Sequence, residues 1–191
     1  REARQRFAEA LQDEGLEVEI DGAANVWGRL RGTDTERGAI VVGSHLDTVP
    51  NGGDYDGALG TLMALELLRT AREQGLRLRH DLEVVSFTGE EPNPFRLSTL
   101  GSRCFTGKLT PAALSDVSDS NGLRLADALE AAGGSLSRFA EMEERRARTR
   151  MYLELHIEQG LRLERQAQPV AVVDSVVGIH RRRLRVVGSA N

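Results

Sequence analysis

Residues 39–75 read A-I-V-V-G-S-H-L-D-T-V-P-N-G-G-D-Y-D-G-A-L-G-T-L-M-A-L-E-L-L-R-T-A-R-E-Q-G. The unbroken small apolar run at residues 39–43 suits a strand buried on both faces. A Gly-rich loop follows. Residues 61–74 then place Leu62, Leu65, Leu68 and Ala71 at helical spacing, with Gly75 as the stop. Residues 82–87, L-E-V-V-S-F, give a second buried strand. Strand, long helix and strand make a βαβ unit. The expected class is α/β, a mostly parallel sheet flanked by helices.

Working outward, residues 1–14 read as a helix with Phe7, Ala10 and Leu11 on one face and Gly15 at its end. Short strands are expected at 16–20 and 25–30. Helices are expected at 111–115, 123–132 and 136–148, the last two parted by Gly133-Gly134. Strands return at 152–157 and 170–177, and a final one at 183–188 has no visible partner. There is no internal repeat and no low-complexity linker.

Composition bounds the function. With 191 residues, 40% of them hydrophobic, the chain can bury a core. Its net charge of −4 argues against a nucleic-acid partner or an anionic membrane surface. The run Arg181-Arg182-Arg183 reads as a solvated strand end. No apolar stretch approaches the roughly 18 residues of a membrane span. Cys104 is the only cysteine, so no intrachain disulfide forms and a cytoplasmic setting fits.

The chemistry lies in four places: G-S-H-L-D-T-V around His45, G-G-D-Y-D-G around Asp56, the pair Glu90-Glu91 after the second strand, and L-H-I-E-Q-G around His156. Each residue alone has a plainer reading: a core histidine, a turn former, a solvated acidic pair. Their recurrence at successive strand ends, where open α/β sheets collect ligands, argues for one metal site. Imidazole and carboxylate without thiolate suit zinc, manganese or cobalt. Asp56 sits on the Gly-rich loop between strand and helix, from which it can swing toward His45; a carboxylate shared between two ions holds them roughly 3.5–4 Å apart. Asp47, two residues after His45, is placed for its carboxylate to accept the other ring N–H of that histidine. A phosphate-binding loop is the rival reading of residues 43–60. They lack a G-K-[ST] ending and carry Asp47, Asp54 and Asp56, which repel phosphate.

These motifs, with F-T-G-E-E-P, L-G-S-R and A-N-V-W-G-R, resemble the M20 family of metal-dependent amidohydrolases, and most closely its N-carbamoyl-L-amino-acid hydrolase and allantoate amidohydrolase branch. The resemblance implies that His45, Asp56 and His156 hold one divalent ion. Asp56 would bridge to a second, also held by Glu91. Zinc or manganese is expected, with cobalt or nickel also suited. Glu90 would be the general base and Gln159 would contact a small ureide or N-carbamoyl amino acid. An aminoacylase or dipeptidase of the same family is the alternative, which the imidazole at position 156 disfavours. The resemblance further implies that residues 1–177 are the N-terminal part of a catalytic domain. Residues 178–191 would begin a smaller α+β lid through which the full protein dimerises. The second ion's remaining histidine would come from a later segment, and His180 is not expected to be it. Pro94 with Arg96-Leu97 departs from the family's Arg-Phe-Gly.

Overall fold

The computed structural model describes residues 2–178 together with 182, 184, 185, 187 and 188. It divides into two units, residues 1–157 and 158–191. The first opens with α1 (Glu2–Asp13), which buries Phe7 and Leu11. Gly15, in the left-handed region at φ 68°, turns the chain into β1 (Glu17–Ile20). A tight turn leads to β2 (Val26–Leu30). Asp21 organises that turn. Its Oδ1 accepts the backbone N–H groups of Ala23 and Asn25, each at 2.9 Å, and its Oδ2 accepts Asn25 Nδ2 at 2.9 Å and Trp27 Nε1 at 2.8 Å.

Next come β3 (Ala39–His45), α2 (Ala58–Glu73) and β4 (Asp81–Phe87), the βαβ unit that the sequence implies. Every residue of β4 is buried, as a strand covered on both faces requires. Four helices follow: α3 (Leu100–Phe105), α4 (Pro111–Leu114), α5 (Leu125–Glu130) and α6 (Phe139–Arg148). The edge strand β5 (Thr149–Leu153) completes the sheet.

The strand order is β1-β2-β4-β3-β5. β3 runs parallel to β4 and β5, whereas β2 is antiparallel to both β1 and β4. Four of the five strands therefore point the same way, as a mostly parallel sheet requires, and β2 alone is reversed. The cause of the reversal is local: a short turn at Asp21 can join only antiparallel neighbours. Side chains alternate across the sheet. Val26, Leu82 and Val84 pack with Phe7, Leu11, Leu65 and Leu68 from α1 and α2. Trp27, Val41, Val85 and Phe87 face the other way, against Phe105. On β4, buried Glu83 is matched by Arg29 at 2.7 Å and Arg145 at 2.6 Å, and the Arg145 guanidinium lies 4.5 Å from the Trp27 ring centroid.

Several boundaries differ from expectation. β5 ends at Leu153, so His156 follows the strand and does not lie within it. Helix α3, with Gly101 and Ser102 in its short span, has no sequence periodicity to announce it.

The second unit contains α7 (Arg162–Arg165), whose first N–H groups are accepted by the Glu158 carboxylate. Residues 170–177 form no strand, a correction; they are exposed and have no strand partner among the described residues. Of the expected strand at 183–188, Arg183 and Val186 lie outside the described residues, as do His180 and Arg181 before it, and the described ones carry no strand. Among the described residues no helix is long and apolar enough to cross a membrane.

Candidate metal centre

His45 is the last residue of β3 and is 1% exposed. Its Nδ1 lies 2.9 Å from the backbone carbonyl oxygen of Asp47. A carbonyl only accepts, so Nδ1 carries the proton and Nε2 presents its lone pair. His156 repeats the device, with Nδ1 2.9 Å from the carbonyl of Ile157. Both Nε2 atoms then face one carboxylate oxygen, Asp56 Oδ1, at 3.6 Å from His45 and 3.1 Å from His156. The three donor atoms lie within 4.8 Å of one another.

The donor set fits a divalent cation. Two ligands each about 2 Å from a tetrahedral ion stand about 3.3 Å apart, and the two imidazole–carboxylate distances, 3.6 and 3.1 Å, bracket that value. His45 Nε2 is buried and makes no hydrogen bond. A buried ring nitrogen left that way costs roughly 1–3 kcal/mol, which a bound cation offsets.

Two glycines make the approach. Gly57 caps α2 at φ 68°, and a Cβ there would fall 2.4 Å from the His45 ring. At Gly60 a Cβ would fall 2.1 Å from the Leu155 carbonyl oxygen, so only glycine lets the chain before His156 lie against α2. Thr61 Oγ1 donates to the His45 carbonyl at 3.1 Å and fixes the end of β3.

Asp47 joins the two halves of the site, with different atoms from those expected. Its backbone oxygen, not its carboxylate, holds the imidazole; the carboxylate stands 3.9 Å from Nδ1. The carboxylate instead accepts the backbone N–H groups of Glu90 at 3.2 Å and Glu91 at 2.9 Å. The Glu pair begins three residues past the end of β4, and its two backbone N–H groups give the carboxylate two charge-assisted hydrogen bonds where the imidazole could give one.

Glu90 Oε2 lies 3.7 Å from His45 Nε2. Burial pushes the Glu90 carboxyl up; the His45 ring pulls it down, while the charges of Glu91, Asp47 and Glu154 add to the rise. A carboxyl with raised proton affinity beside a metal site suits a general base. Glu91 is held through its N–H beside this group but does not belong to the three-donor cluster. Gln159 lies in the second unit, with φ 55°.

Sequence reading missed Ser44, Tyr152 and Glu154. Ser44 Oγ donates to Glu154 Oε1 at 2.6 Å, and Tyr152 Oη lies 2.8 Å from Glu154 Oε2. The available signal is the alternation Y-L-E-L-H, which sets Tyr152, Glu154 and His156 on one side of an extended chain. Burial, with the Glu154 charge beside it, pushes the Tyr152 phenol up, so it stays a donor.

Comparison with known proteins places this arrangement. Residues 25–167 match Peptidase family M28. The chain is 39% identical over 190 residues to an N-carbamoyl-L-amino acid amidohydrolase of Geobacillus stearothermophilus, covering 100% of this chain and 46% of that protein. It is 35% identical over 193 residues to an allantoate amidohydrolase of Escherichia coli (strain K12), again covering 100% and 46%. A crystal structure of a hydantoinase/carbamoylase family amidase from Burkholderia ambifaria superposes with a TM-score of 0.74 at 36% identity, over 86% of this chain and 39% of that one. The chain thus spans less than half the length of these relatives. Where its motifs resemble the M20 family, the matched family carries the M28 name; the relatives carry the names of the branch those motifs single out. With the match running through every donor from His45 to His156, the chain belongs to peptidase family M28.

Proposed function

We propose that the protein carrying this chain hydrolyses a C–N bond in a linear ureide, an N-carbamoyl-L-amino acid or an allantoate-like compound. The observation that carries this is the convergence of His45, Asp56 and His156 within 4.8 Å, with Glu90 3.7 Å from His45 Nε2. The names of the relatives select the substrate class.

His45, Asp56 and His156 would hold one divalent ion, zinc or manganese in preference, with cobalt or nickel also suited. Asp56 and Glu91 would help to hold a second. When bound, such ions lower the pKa of water and polarise a carbonyl. Glu90 takes the proton of the water that attacks the ureido carbonyl and returns it to the leaving nitrogen. The carbamic acid released falls to ammonia and carbon dioxide, leaving the free amine or amino acid. Asp47 keeps the Glu90 backbone and the His45 tautomer in place together. Gln159 contacts the substrate. Residues 1–177 are read as the N-terminal part of the catalytic domain and 178–191 as the start of the lid and dimer interface.

The test is turnover of N-carbamoyl amino acids and allantoate by the full protein with manganese or zinc, alongside Glu90→Gln. The variant is expected to keep its metal and lose about 10²–10⁴-fold in turnover, as removal of a general base does. A variant that loses an ion would exchange the roles of Glu90 and Glu91. Turnover of N-acyl amino acids or dipeptides with no ureide cleavage would move the enzyme to the alternative class.

A further inference from the structure

The β3–β5 ladder ends at the pair Val42↔Leu153. Three residues farther along each strand stand His45 and His156, so continuing the parallel register brings the two imidazoles opposite each other. No backbone ladder covers that extension. Two side-chain arrangements and one close backbone approach do. Ser44, buried beside His45, donates to Glu154 Oε1 at 2.6 Å. Tyr152 Oη lies 2.8 Å from Glu154 Oε2 and 3.0 Å from the Gly43 carbonyl, its single proton shared between the two acceptors. Gly60 admits the Leu155 carbonyl against α2.

Resting on the metal reading above, we infer that Glu154 is a positioning residue for the His45–Asp56–His156 centre. Its carboxylate clasps Ser44 and Tyr152 and so locks the two histidine-bearing strand ends in register beyond their ladder. It is not one of the three clustered donors. Its effect reaches the ion through His156, two residues on. Supporting groups of this kind typically change metal affinity 10–100-fold.

The test uses cobalt(II) alone as the probe, added to the full protein, with affinity by titration and the visible d–d absorption as the record of ligand geometry. Circular dichroism and the melting midpoint check folding. Glu154→Ala is expected to bind cobalt 10–100-fold more weakly, with an altered d–d spectrum. Glu154→Gln, which keeps an oxygen for the Ser44 hydroxyl, is expected to recover most of the affinity. Ser44→Ala should weaken binding in the same sense, and it decides the matter if Glu154→Ala does not fold. A folded Glu154→Ala or Ser44→Ala with the parent's affinity and spectrum overturns the inference. So does a Glu154→Gln as weak as the alanine variant, which would mark the charge, not the clasp, as the cause. His156→Ala separates the two levels of argument: it must abolish tight cobalt binding, and if it does not, the metal reading itself fails.

Discussion

Replacing Gly57 with alanine tests the site's construction directly. The added Cβ meets two penalties. The residue sits at φ 68° and ψ −44°, outside the left-handed helical region, where an L side chain costs about 1–3 kcal/mol. The methyl would also lie 2.4 Å from Cε1 and Nδ1 of the buried His45 ring. Something must move, and overpacking of this kind costs about 1–3 kcal/mol. Gly53, in the same loop, separates the two penalties. It has φ 83° and nothing within 4 Å of its Cβ position, so Gly53→Ala carries the backbone penalty alone. The reduced freedom of the unfolded chain favours both variants alike and cancels. Gly57→Ala should therefore be less stable than Gly53→Ala by about 1–3 kcal/mol. For a domain of this size that is a melting-point gap of about 2–12 °C. A second readout follows from the ring's displacement: Gly57→Ala loses zinc or manganese in a titration, and Gly53→Ala keeps it. Equal melting points with equal metal binding would show that Gly57 does not shape the site and that the steric reasoning is wrong.

Two further outcomes are expected. Asp21→Asn leaves two of four buried N–H donors facing an amide NH2 group, so it should destabilise the fold by about 2–4 kcal/mol in denaturant titration, after allowing for relief of the buried charge; a loss under about 0.5 kcal/mol would mean the turn does not depend on that carboxylate. Burial pushes the Cys104 thiol up to about 12, so it should resist iodoacetamide at neutral pH until the chain is unfolded; mass spectrometry showing rapid labelling of the folded protein would contradict its packing.

What was legible in the sequence follows from what generates periodicity. β3, α2 and β4 could be read because burial on both faces, or along one stripe, writes itself into consecutive residues. β5 could not be bounded that way. It is an edge strand, mostly exposed in this chain, and Leu153 and Leu155 look alike in sequence although the ladder stops between them. The Val-rich run at 170–177 shows the converse: β propensity without a partner makes no strand. At the site, residue types and strand-end positions gave His45, Asp56 and His156, which the structure brings together. Asp47 was legible as a residue but not as atoms, because its bonds depend on where β4 delivers the Glu90-Glu91 amides. Ser44 and Glu154 meet across residues far apart in the chain, and no local pattern records that.

The strand order also has a consequence for biosynthesis. β3 lies inside the five-stranded sheet, between β4 and β5, yet β5 is translated last of the five. Ribosomes add about 5–20 residues per second, so the stretch from Phe87 to Thr149 takes about 3–12 s to appear. Through that interval the nascent sheet exposes one side of β3, an apolar edge able to pair with another chain. His45 and Asp56 wait on the same open edge without His156. A nascent chain is therefore both adhesive and unable to assemble its three-donor centre until β5 docks, and one event closes the edge and completes the donor set.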